Sequence, residues 1–210
     1  MTTNVRASRP KGRPPASDGP SARERLLASA RREFSAKGFR GAATGDIAEA
    51  AGLTPPALYH HFENKSGLFV AVVEDVYEQV LHRFGEAVPA GASFDEAVDG
   101  LLACSIEVMR TDPTLSAMVA TAHFEIRREP ELGLRLRPVL RRFRAFFDDV
   151  AARAKPAGQS TAHERRSLSH ALVAIITGLN AEALLLGRDQ DYAALVQAMR
   201  TLLRTGTGSD

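Results

Sequence analysis

Between Thr54 and Lys65 the chain gathers side chains suited to contact with a charged, grooved polymer. Tyr59 offers a ring and a hydroxyl, His60 and His61 two imidazoles, Lys65 an ammonium, and Pro55, Pro56 and Ala57 small apolar surfaces. Polar and cationic groups of this kind meet phosphate oxygens, whereas rings and small apolar groups meet base edges and thymine methyls. Chemistry of other kinds finds less support. His163-Glu164-Arg165-Arg166-Ser167 has serine where a zinc-protease helix needs its second histidine, and none of the 6 histidines has a glutamate three residues before it. Glu78 and His82 make only a two-ligand pair. No Gly-x-Ser-x-Gly, phosphate loop or dinucleotide fingerprint occurs, so no enzyme activity, metal or cofactor is expected.

Two short helices must position the Thr54–Lys65 set. Ile47, Ala48 and Ala51 give the first an apolar face, and Gly52 tolerates the left-handed backbone that ends it sharply. Leu53 plugs the turn, Thr54 stands where a cap is needed, and Pro55 sits where a missing N–H costs nothing. Leu58 and Phe62, one helical turn apart, share a buried face and leave Tyr59 and His60 outward. A helix-turn-helix whose second helix enters the major groove fits this pattern, and so does a plain helical corner with an ordinary polar surface.

The stretch from about residue 22 to 82 resembles the DNA-binding region of the TetR family of bacterial transcriptional regulators. The resemblance rests on Phe34, Lys37-Gly38-Phe39, Asp46-Ile47-Ala48, Ala51-Gly52-Leu53, Leu58-Tyr59-His60-His61-Phe62 and Asn64-Lys65 with Leu68. It implies an all-α protein. Residues 1–20 would be a flexible basic arm, 21–82 a three-helix DNA-binding head, and 83–210 a helical ligand-binding and dimerisation domain. It also implies a homodimeric repressor that leaves a palindromic operator when a small effector binds. Thr44, Thr54, His60, His61 and Lys65 become phosphate-contact positions, with Tyr59, Pro55, Pro56 and Ala57 at the bases; His61 has the alternative of packing under its helix. The chain departs from the family at Ala42-Ala43-Thr44-Gly45, where only Thr44 supplies a hydroxyl to cap the first motif helix and reach phosphate. Base-reading hydrogen bonders are therefore scarce, and DNA shape is expected to carry much of the specificity.

Charge agrees with a nucleic-acid partner. Residues 1–65 hold 11 Lys/Arg against 6 Asp/Glu, and the remainder 16 against 19. The first 20 residues are rich in proline, glycine and serine. Their Pro10-Lys11-Gly12-Arg13-Pro14 resembles an AT-hook, whose Arg13 would enter a narrow minor groove; a solvated tail is the other reading. The lone Cys104 excludes an internal disulfide, and neither a run of about 18 apolar residues nor a secretory core is present, so a cytoplasmic protein without membrane contact is expected.

Helix signals continue to the end. Capping boxes are expected at Ser21/Glu24 and Ser93/Glu96, with caps at Asn64, Asp112 and Asp191. Arg23 and Arg31 on the first helix are weaker phosphate candidates. Leu68, Val72, Val76, Val80 and Phe84 stripe a long helix linking head to body, and Pro138 should start or kink a later one. From Ala171 to Leu186 nearly every position is apolar or small, so the last two helices are expected to pair with a second copy in a four-helix bundle. An apolar or aromatic effector is expected among the helices from 68 to 150. Cys104, Met109, Met118, His123, Phe124 and Phe147 are its candidate lining, each equally readable as plain core.

Overall fold

Ser21 accepts the Glu24 N–H at 3.2 Å while Glu24 Oε2 accepts the Ser21 N–H at 2.7 Å, and this reciprocal cap opens α1 (Ala22–Gly41). The same device opens α5 (Phe94–Thr111) through Ser93 and Glu96, and Asn64 caps α4 (Lys65–Ala87) by accepting the Gly67 N–H at 2.8 Å. The remaining helices are α2 (Thr44–Ala50), α3 (Pro55–His61), α6 (Pro113–Arg128), α7 (Pro130–Ala151), α8 (Ala162–Leu186) and α9 (Asp189–Gly206). The computed structural model describes residues 19–154, 161–186 and 189–206, and among these there is no strand. The fold is all-α. Arg13 and the rest of the basic arm lie outside the described residues.

α1 to α3 form the head, α4 carries it, and α5 to α9 build the body. α4 is the shared strut, since residue 82 falls inside it. Its stripe of Leu68, Val72, Val76, Val80 and Phe84 is buried throughout. α1 lies along both α4 and α6, so the head rests on the body as well as on its strut. Gly38 bends the end of α1 with φ +70°, a backbone that a side chain resists. The bend tucks Phe39 back, and the Phe34 and Phe39 rings both meet Phe69 with centroids 5.1 Å away. Farther along, Phe147 sits among Phe84, Phe143 and Phe146 at 5.0–5.9 Å, joining α4 to α7.

Two helix starts differ from the sequence expectation. α7 begins at Pro130, an allowed first position, and runs on through Pro138. Pro138 removes the donor for the Leu134 carbonyl, but both residues are exposed, so water can serve that carbonyl. α9 begins at Asp189, which places Asp191 inside the helix instead of at its cap.

α5 crosses the end of α4 with no clearance. A Cβ on Gly100 would lie 2.2 Å from the Ala87 carbonyl oxygen, a backbone atom that cannot swing aside. Gly100→Ala should therefore destabilise the fold by about 1–3 kcal/mol, as overpacking does. Denaturant unfolding checks this, with Gly85→Ala in α4, exposed and with nothing within 4 Å of its Cβ, as the comparison expected to hold or gain stability.

Candidate nucleic-acid interface

The turn between α2 and α3 is locked by its own backbone. Gly52, at φ +67°, donates to the Glu49 carbonyl at 2.9 Å, and Leu53 donates to Ala48 at the same distance. Leu58 is fully buried and Phe62 nearly so, which seats α3 on the head core. Ser29 reaches from α1 to the Ile47 carbonyl at 3.0 Å, and Arg25 to the Ala51 carbonyl at 3.1 Å. These two braces fix the angle between α1 and α2. Their partners are distant in the chain, so no local pattern marks them.

The outer face of α3 presents Pro55, Pro56, Tyr59, His60 and His61 to solvent, with Ala57 half-buried behind them. His61 is exposed, which removes the alternative that it packs under its helix. Tyr59 is 47% exposed, and its hydroxyl shares a hydrogen bond with Thr44 Oγ1 at 3.0 Å. Thr44 was expected to cap α2. The capping position belongs to Ala43 instead, and Thr44 already has helical backbone, so its hydroxyl turns to Tyr59. Thr54 does occupy the capping position of α3, but its side chain accepts no hydrogen bond there. Pro55 and Pro56 have removed the N–H groups of the first two helical positions, leaving little to cap.

The cations are arranged unequally. Lys65 is half-buried, donates to the Arg40 carbonyl at 3.2 Å and stands 5.1 Å over the Phe39 ring, so it ties α4 to the end of α1. Arg31 is no phosphate candidate: it donates to Asp112 at 2.7 Å across the head–body seam. Asp112, expected only as a cap, spends its carboxylate on Arg31 and Thr114 and makes no cap bond. Arg23 stacks over Phe62 at 5.5 Å. A Cβ at Gly45 would meet nothing within 4 Å, so space does not demand the glycine.

The six residues read as effector lining are dispersed. Met118 and Phe147 are fully buried core, Cys104 and Met109 are half-buried against it, and Phe124 is 68% exposed. Phe124 therefore cannot line an interior cavity; it sits on the outer face of α6. The central void, about 20 Å³, touches Val80, Phe84, Ser105, Ser116, Phe143 and Asn180 among others, and none of the six. The Cys104 thiol is pushed up by burial.

His123 accepts or donates a hydrogen bond with the Tyr77 hydroxyl at 3.1 Å. Burial first, and Arg144 second, push its pKa below the ordinary value. The unfolded chain then binds the extra proton first as pH falls, so stability drops on acidification. The loss should begin near pH ~6.5, the free-histidine value. Denaturant midpoints measured between pH 7.5 and 5.5 should slope upward with pH, and His123→Gln should flatten that slope.

The chain is similar to known proteins in sequence and in fold. The family profile of bacterial regulatory proteins, tetR family, matches residues 26–72. The HTH-type transcriptional regulator UidR of Escherichia coli K12 is 27% identical over 185 residues, covering 84% of this chain and 90% of that one. The HTH-type transcriptional repressor KstR2 of Rhodococcus jostii RHA1 is 31% identical over 99 residues, 46% of this chain and 48% of its own. Among solved structures, Salmonella enterica GusR superposes with a TM-score of 0.67 at 26% identity, covering 87% of this chain and 94% of that one.

Proposed function

Because the chain belongs to the TetR family of bacterial transcriptional regulators, we propose that it is a homodimeric, cytoplasmic repressor released from its operator by a small effector. The observation that carries this reading is the helix pair itself: a turn locked at Gly52, a buried Leu58, and Tyr59 held outward beside Thr44. We assign residues 21–82 to DNA and 83–210 to effector and partner. Tyr59, Pro55, Pro56 and Ala57 would meet bases, with Thr44, Thr54, His60, His61 and the remaining donors of Lys65 toward phosphate.

Dimerisation is supported by what α8 and α9 leave uncovered. Ala171, Ala174, Gly178, Ala181 and Leu185 recur at helical spacing on the exposed side of α8, with Ala194, Ala198 and Leu202 exposed on α9. Leu185 is 80% exposed and Leu202 66%, a cost that a second copy would remove. α8 also reaches a mean hydropathy of 1.5 over a window long enough for a membrane span, although it lacks an unbroken apolar run. A close-packed partner helix explains the small residues along its face better than lipid does. Two heads on a two-fold axis would then meet major-groove faces about 34–36 Å apart, or farther for a longer operator.

The test is binding of the full chain to DNA flanking its own gene, titrated with salt, beside Tyr59→Ala. Specific binding that outcompetes random DNA, and falls at least about tenfold in the variant, is expected for a lost base-edge contact. Scrambling operator positions between the half-sites should weaken binding as well, since readout leans on shape. Absence of binding even at low salt would leave a ligand-binding helical dimer without a DNA role.

A further inference from the structure

The central interior is nearly full, but the body is open elsewhere. Between α5, α8 and α9 lies a cleft of about 330 Å³. Its walls are chiefly Phe94, Val98, Leu102, Leu168, Leu172 and Ile175. Leu102 and Leu172 are buried at its base, and Val98 and Ile175 are half-buried along it. That volume is at the small end of ligand pockets, which start near 300 Å³, and the apolar lining suits a compact hydrocarbon or aromatic body.

One end of the cleft is charged. Asp95, Asp99 and Arg200 line it together. Arg200 Nε lies 3.1 Å from Asp99 Oδ1, and its Nη2 donates to the Asp99 carbonyl at 3.0 Å. The guanidinium is ion-paired with Asp99 and its Nη2 donates to that residue's carbonyl, although Nε makes no hydrogen bond, while Asp95 adds a second, exposed carboxylate. Two carboxylates against one guanidinium favour a cation and disfavour an anion.

The cleft is also placed to act. Its α5 wall includes Asp99, next to Gly100, where α5 presses on the Ala87 carbonyl at the end of α4. A contact with no room for a methyl group passes on a displacement in place of absorbing it. Its other walls, α8 and α9, carry the exposed seams assigned above to the partner copy. A molecule wedged into the cleft would bear on the strut of the head and on the dimer face at once.

We propose that this cleft is the effector site, and that it takes a small, largely apolar molecule bearing one amine. Its regulatory consequence rests on the repressor reading; its occupancy does not, and the two are measured separately.

The test uses the full chain and a neutral fluorescent reporter, N-phenyl-1-naphthylamine, displaced by 1-naphthylmethylamine or by 1-naphthaleneacetate, which share a ring system and differ in charge. Saturable reporter binding is expected, with the amine displacing it at a concentration about tenfold lower than the acetate. Val98→Trp should fill the cleft and abolish reporter binding with native melting retained. Asp95→Lys, an exposed change, should keep reporter binding and reverse the preference toward the acetate. No saturable binding in the unaltered chain, or binding that survives Val98→Trp, overturns the cleft. Equal or better displacement by the acetate overturns the amine, and should Val98→Trp fail to fold, an unchanged preference in Asp95→Lys overturns the site by itself. Operator binding read on the same samples bears on the repressor alone.

Discussion

The position of the head depends on one seam, where α1 lies against α6 and is pinned by charge at both ends. Near the start of α6, Arg31 and Asp112 pair at 2.7 Å with side chains only 17% and 25% exposed. Past its far end, Arg40 and Glu129 pair at the same distance in the open. The first pair matters more, because water screens the second and an exposed pair contributes little. Between them Glu125 is buried with Oε1 3.5 Å from where a Gly38 Cβ would stand, so the bend of α1 and the approach of α6 are one feature. Loss of Asp112 would leave a half-buried guanidinium without its carboxylate, a costlier state than never having had the pair.

That seam turns α4 from a tether into a lever. At its first turn, Lys65 holds the Arg40 carbonyl and the Phe39 ring, so the head cannot pivot without breaking a charge-assisted bond. At its last turn, Ala87 backs onto Gly100. Aromatic contacts through Phe69, Phe84 and Phe147 fill the length between. Rigid packing of this kind moves as a unit, which is what coupling between a body cavity and a distant head requires.

The outward face of α3 is chemically plain. Tyr59 has its hydroxyl engaged by Thr44, prolines occupy the first two positions, and no amide or guanidinium projects from the helix. On the proposed repressor reading, a surface so poor in bidentate hydrogen bonders would read contour and methyl groups in preference to donor and acceptor patterns. The Thr44–Tyr59 bond reduces the freedom of the ring, which would lower the ordering cost of the proposed DNA contact.

Much of this was legible in the order of residues, because it depends on neighbours in the chain. The capping boxes at Ser21 and Ser93, the Asn64 cap, the positive φ at Gly52 and the buried stripe of α4 all arise within one or two helical turns. Where the local reading went wrong, a longer-range partner or one missing position was responsible. Thr44 stood one residue too late to cap, and Pro138 was tolerated because solvent covers its face. What only the tertiary structure decided is which side chains meet across the core. Arg31 left the phosphate candidates for Asp112, Lys65 turned to Arg40, Phe124 faced outward, and the open volume appeared between α5, α8 and α9. Periodicity assigns a residue to one face of its helix; the neighbour across that face depends on how the helices cross, and that angle emerges only when all the faces are buried together.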